Sequence, residues 1–280
     1  MKVAVTGASG FVGRHVLAEL ARMQTEIVAV TRDASKLLHL SPSVHVVEMD
    51  ISSPESNCFA QMGSPDVLIH LAWDGLSNYR AFCHFDTELP RHYLFLKNLI
   101  DAGLLSIFVA GTCLEYGMQS GALSEGIRLC PSNSYGYAKD ALRQQLEFLK
   151  TIKNFNLVWG RLFYMYGEGQ SGNSLYASLK EAVLRGDKSF DMSGGEQLRD
   201  YLPVAEVARK IVRLALSGGD IGPVNICSGK PISVRRLVEQ WLAHNNWEIT
   251  LNLGCYPYSD YEPMAFWGDI TKMQELLREK

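Results

Sequence analysis

Tyr135 and Lys139, four residues apart in the run Tyr135-Gly136-Tyr137-Ala138-Lys139, are the pair best suited to moving protons. Positions i and i+4 of a helix share one face, so a phenol and an ammonium placed there can point into one site. A free phenol titrates at about 10, and a neighbouring ammonium favours its ionised form, making it a better proton donor and acceptor near neutral pH. The spacing alone is common and also fits two side chains covering a helix surface. Thr112, at the end of the apolar run Ser106–Gly111, offers a hydroxyl that could hold a substrate oxygen or cap a turn. Cys113 beside it has no suggestively placed histidine and reads as a packing thiol.

A second chemical feature lies at the start of the chain. Thr6-Gly7-Ala8-Ser9-Gly10-Phe11-Val12-Gly13 joins an expected strand to an expected helix, with Gly7, Gly10 and Gly13 at a three-residue interval. Such glycines permit a tight turn and a close backbone approach, and the exposed N–H groups of the helix start attract phosphate. A dinucleotide cofactor is therefore expected on Gly7, Ser9, Gly10, Phe11, Val12 and Gly13. The second strand ends Val30-Thr31-Arg32-Asp33. An acidic residue there receives ribose hydroxyls, whereas an arginine accommodates a 2′-phosphate. Threonine at the usual acidic position followed by Arg32 leans towards NADPH, with NAD left open: Asp33 could serve a ribose and Arg32 could be a solvated turn residue.

Elements that could position these residues follow from hydrophobic periodicity. Strands are expected at Lys2–Thr6, Glu26–Thr31, Val44–Asp50, Asp66–Ala72, Ser106–Gly111 and Leu157–Leu162, alternating with helices at Phe11–Met23, Arg91–Ala102 and Tyr137–Ile152. That alternation predicts an α/β fold with a doubly wound parallel sheet. Beyond about Gly167 the pattern changes, with glycine and serine dense through Gly167–Gly172, then helices near Leu175–Leu184, Val204–Leu216 and Val234–His244 and a strand at Pro223–Ile226. The expected division is a nucleotide-binding domain over 1–165, with a returning segment near 200–227, and a smaller mixed C-terminal lobe over 166–199 and 228–280. A cleft between lobes is the default substrate site. A formal net charge of -3 argues against a nucleic-acid partner. No apolar run is long enough for a membrane span, and the first glycine comes too early for a signal peptide, so a cytoplasmic enzyme is expected. The six cysteines and seven histidines are scattered without ligand spacing, and no metal site is expected.

Taken together, the glycine turn, Asp50-Ile51, Ile69-His70-Leu71-Ala72, Gly111-Thr112-Cys113-Leu114-Glu115-Tyr116-Gly117, Tyr135…Lys139, Arg161-Leu162-Phe163, Arg199-Asp200-Tyr201-Leu202-Pro203-Val204, Asn225-Ile226-Cys227-Ser228-Gly229, Glu262-Pro263-Met264 and Trp267-Gly268-Asp269 resemble, in order, the motifs of the extended short-chain dehydrogenase/reductases acting on nucleotide sugars. The resemblance spans nearly the whole chain and implies a Rossmann fold and a homodimer. It also implies catalytic roles for Thr112, Tyr135 and Lys139. Asp50 and Ile51 would line the adenine pocket, and Leu71, Ala72, Trp73 and Leu162 would lie along the cofactor. Tyr164 and Arg199 would meet the substrate, with Arg199 facing its diphosphate.

The departures narrow the reaction. Dehydratases of this type carry an Asp-Glu pair directly after the threonine; Cys113-Leu114 stand there, so elimination of water is not expected. Tyr164 replaces an asparagine common in epimerases, and Ser259-Asp260-Tyr261 stand where an arginine is usual before Glu262. The run His70–Arg80 is most similar to members that reduce the 4-keto group of dTDP-4-keto-6-deoxyhexoses, which implies a dTDP-linked sugar as partner. A 4-epimerase with tightly bound NAD, and a non-catalytic redox sensor or scaffold, are the alternatives.

Overall fold

A computed structural model of the chain describes residues 1–38, 43–52, 57–170, 172 and 174–277. Ser171 of the glycine- and serine-dense stretch and residues 278–280 of the expected C-terminal lobe lie outside them.

The central element is a seven-stranded sheet. Its first five strands in chain order are β1 (Lys2–Thr6), β2 (Glu26–Thr31), β3 (Val44–Glu48), β4 (Val67–His70) and β5 (Ser106–Thr112), joined by Asn156–Leu162 and Gly222–Ile226. The spatial order is Gly222–Ile226, Asn156–Leu162, β5, β4, β1, β2, β3, and every pairing is parallel. The chain starts at β1, builds outwards to β3, and returns to the other side of β1 with β4. The order therefore reverses between β1 and β4, where the carboxyl ends of an open α/β sheet leave a crevice.

Period-two alternation divides the strands between two cores. Ala4, Val28, Val30, Leu68, Ile107, Val109, Leu157 and Trp159 face one layer, with the helices Leu89–Asp101 and Ser134–Leu149 packed on it. Val3, Val5, Ile27, Ala29, Ile69, Phe108 and Val158 face the other, covered by helix α1 (Phe11–Leu20), Val204–Leu216 and Met273. Later segments form smaller sheets: Pro231–Ser233, Leu198–Pro203 and Tyr164–Tyr166 in one, Thr250–Asn252 with Ser189–Asp191 in another, Phe266–Gly268 with Gly121–Leu123 in a third. All of these except the six-residue Leu198–Pro203 are three residues long, too short to show periodicity in the sequence.

Element ends differ from expectation where local capping decides them. The helix expected from Tyr137 begins at Ser134, because the Asn133 side chain accepts the Gly136 N–H at 2.8 Å. That early start puts Tyr135 in the first turn, with Lys139 one turn further on. β3 and β4 end two residues before their expected limits at Asp50 and Ala72, leaving 49–50 and 71–72 as loop over the sheet edge.

The carboxyl edge is held by one buried ion pair. Glu115, fully buried, accepts Arg161 Nε on one oxygen at 2.7 Å, and Trp159 Nε1 and the Thr112 N–H on the other, both at 2.9 Å. Removing one partner of such a pair costs about 3–5 kcal/mol because the other charge stays buried. We expect Glu115→Ala to lower the thermal unfolding midpoint by about 10 °C. Asp187→Ala, which removes an exposed pair with Arg185, should change stability by less than about 1 kcal/mol.

Candidate active site

The turn after β1 meets the loop after β4 as closely as bare backbone allows. Gly7 has φ +67°, and a Cβ there would lie 2.8 Å from the Ala72 nitrogen. Helix α1 starts behind it at Phe11 with Gly10 as its cap and no side chain on its first N–H groups, which leaves those donors for an anion. Gly7, Ser9, Gly10, Phe11, Val12 and Gly13 all line a cleft of about 850 Å³. Arg32, Asp50, Ile51, Leu71, Ala72, Trp73, Thr112, Tyr135, Lys139, Leu162 and Tyr164 line the same cleft. Asp50 also caps its own turn, accepting the Ser52 N–H at 2.9 Å.

Thr112 ends β5 and caps the turn Cys113–Tyr116. Its Oγ accepts the Leu114 N–H at 3.2 Å, and Glu115 reciprocates on the Thr112 N–H. The threonine hydroxyl proton stays available for a further partner. The helix carrying Tyr135 packs directly on this turn: a Cβ at Gly136 would lie 2.5 Å from the Leu114 carbonyl oxygen. Glycine in Tyr-Gly-Tyr thus lets the phenol reach Thr112, with which it interacts. Cys113 is buried, and burial pushes its thiol up, in keeping with a packing role.

The electrostatics of the pair depart from the sequence expectation. Burial, followed by the nearby Tyr79, Glu115 and Cys113, pushes the Tyr135 phenol well above its ordinary value instead of lowering it. Lys139 is itself desolvated, which lowers it to about 7. Its Nζ donates to the Ala110 carbonyl at 2.9 Å and sits 3.8 Å above the Trp73 ring, while lying 5.9 Å from the Tyr135 ring centroid. Both groups line the same cleft, and spacing alone cannot see that their surroundings are dry.

Arg199, expected with the others, lines a second cavity of about 470 Å³ with Phe190, Gln197, Tyr256 and Tyr258. Tyr164 and Glu262 line both spaces and join them. Glu262 accepts Arg199 Nη2 at 3.0 Å and the Tyr164 hydroxyl at 2.5 Å. The Arg199 guanidinium is buried and also donates to the Leu198 carbonyl at 2.9 Å.

Several cleft residues escaped the sequence reading. Arg32 is held by Asp74, at 2.8 and 3.0 Å. Glu88, Arg91 and His92 also line the cleft. His92 Nε2 lies 3.1 Å from Glu88, His92 Nδ1 lies 2.8 Å from His70 Nε2, and His70 Nδ1 lies 2.8 Å from the Thr6 hydroxyl. Burial holds both imidazoles well below their ordinary value. The one available signal was Glu88 and His92 at i, i+4, which by itself is a common surface pair.

The chain matches the model of the NAD dependent epimerase/dehydratase family over residues 3–227. It is 30% identical to a dTDP-6-deoxy-L-talose 4-dehydrogenase (NAD(+)) of Aggregatibacter actinomycetemcomitans over 270 residues, 96% of this chain and 99% of that one. A GDP-6-deoxy-D-talose 4-dehydrogenase of the same organism is 24% identical, covering 99% of this chain and 91% of the relative. Among solved structures, MoeE5 in complex with UDP-glucuronic acid and NAD is 25% identical with a TM-score of 0.81, covering 99% of this chain and 92% of that one.

The lowered Lys139 value sets a stability trend. Below about pH 7 the folded chain carries a buried ammonium; above it the folded lysine is neutral while the unfolded one keeps its proton up to 10.5. The unfolded state then binds more protons, so this group makes stability rise with pH between those values, by up to about 1.4 kcal/mol per pH unit. Comparing urea midpoints from pH 6.5 to 9, we expect Lys139→Met to gain most over the native chain at the acidic end, with the gap shrinking as pH rises.

Proposed function

The chain belongs to the NAD dependent epimerase/dehydratase family, and within it we propose that it interconverts the 4-keto and 4-hydroxyl forms of a nucleotide-linked 6-deoxyhexose, acting as a reductase of a dTDP-4-keto-6-deoxy sugar. The observation that carries this reading is the meeting of Thr112, Tyr135 and Lys139 in one cleft that opens, past Tyr164 and Glu262, into the cavity of Arg199. The names of the relatives at 30% and 24% identity, both 6-deoxytalose 4-dehydrogenases, support the 4-position and the 6-deoxy sugar.

The residues present fit a nicotinamide dinucleotide. The uncapped start of α1 and the bare turn at Gly7 would take its phosphates, with Asp50 and Ile51 at the adenine and Leu71, Ala72, Trp73 and Leu162 along its length. When bound, it supplies or accepts the hydride. Arg32 alone leaned towards NADPH; with its guanidinium engaged by Asp74, NAD(H) is the reading the site supports.

In the direction of reduction, negative charge grows on the sugar O4. The Thr112 hydroxyl, whose oxygen already accepts Leu114 N–H, donates to that atom, and Tyr135 gives it a proton. Burial keeps the phenol protonated until then, which suits a proton donor. Lys139 stabilises the phenolate left behind and would hold the cofactor ribose. Arg199 meets the diphosphate in the adjoining cavity. Cys113 and Leu114, beside Thr112, supply no carboxylate for eliminating water.

The test is NADH oxidation with a dTDP-4-keto-6-deoxyhexose. Tyr135→Phe should lower kcat by about 10²–10⁴-fold; near-full turnover by that variant refutes the assignment. A chain that purifies with NAD tightly held, and turns over a nucleotide sugar without added reductant, is a 4-epimerase instead.

A further inference from the structure

We propose that Asp74 decides which nicotinamide dinucleotide the cleft accepts, by occupying the Arg32 guanidinium and holding a carboxylate where a 2′-phosphate would have to bind. The proposal rests on the reading of this cleft as a dinucleotide site.

Arg32 directly follows β2, the strand end at which a dinucleotide-binding sheet reads the adenine ribose. A free arginine there offers its planar fork to a phosphate. In this chain the fork is already matched: Nη1 donates to Asp74 Oδ2 at 2.8 Å and Nη2 to Oδ1 at 3.0 Å. A 2′-phosphate would have to displace one carboxylate from two parallel hydrogen bonds and then lie beside the displaced negative charge. A ribose hydroxyl, which can donate to a carboxylate, meets neither obstacle.

Exposed ion pairs are often incidental, and Arg32 and Asp74 are both substantially exposed. Asp74, however, is fixed from behind. It comes from the loop after β4, two strands from β2, so the pair reaches across the turn that follows β1. Its backbone N–H donates to Glu88 at 3.0 Å, and Arg91 approaches its carboxylate at 3.4 Å. Glu88 is 3% exposed and is itself held by Arg91 at 3.2 Å and His92 at 3.1 Å. The carboxylate is thus pre-placed by a buried network. Asp33, next to Arg32 in the chain, caps the following turn, accepting Ser35 N–H at 3.0 Å.

The readout is the ratio of dissociation constants, NADPH over NADH, titrated on the full chain without sugar substrate. The native ratio should exceed ten. Asp74→Asn, which keeps shape and removes charge, should lower it at least tenfold, and adding Arg32→Gln to that variant should cancel the gain. Asp74→Ser carries the same comparison should the asparagine variant not fold. A native ratio at or below one, an unmoved ratio in the Asp74 variant, or a gain that survives without Arg32 overturns the proposal while leaving the cofactor site intact. Binding of neither dinucleotide to the native chain overturns both.

Discussion

Burial of the Glu115–Arg161 pair is the constraint on which the reactive edge of this protein depends. Both charges are out of water, so each must have its hydrogen-bonding capacity filled by fixed partners. Glu115 spends its two oxygens on the Thr112 N–H, the Trp159 indole and Arg161, tying the end of β5 to the strand beside it. Arg161 continues to the Tyr116 hydroxyl, which donates to Asn225 on the outermost strand. Asn225 in turn donates to the Leu123 and Asp269 carbonyls. A polar chain therefore runs from Thr112 to the sheet edge and out to the C-terminal segment.

A second buried chain positions the lysine. Because both imidazoles stay neutral, each must donate with one nitrogen and accept with the other. His92 donates to Glu88, so it accepts from His70, which accepts from Thr6. That order fixes the His92 ring, Trp73 stacks on it at 4.5 Å, and Lys139 rests over Trp73. The rotamer of Lys139 is thus traceable to a carboxylate on another helix. The same dryness that makes these contacts strong pushes the Tyr135 phenol up and brings Lys139 down to about 7.

The strand Leu198–Pro203 shows how the later segments are pinned to the sheet. Asp200, fully buried, accepts the N–H groups of Ser228 and Gly229 at 2.7 and 2.8 Å. One carboxylate thus holds the turn that leaves the outermost strand. Arg199 beside it stays in the second cavity, its charge balanced by Glu262.

What the sequence determined by itself is local or repetitive. Near-continuous apolar strands such as Val3–Val5 and Ile107–Ala110 state that both faces of the sheet are covered, the glycine turn states that backbone must come close to something, and Tyr135 with Lys139 states a shared helix face. Those properties depend only on neighbours along the chain. The engagement of Arg32 by Asp74, the seat of Lys139 on Trp73, the sharing of Glu262 between two cavities and the direction of the Tyr135 shift were decided only by tertiary structure. Each needs partners brought together from separate loops, and a pKa depends on how much water the assembled walls exclude, a quantity no residue spacing contains.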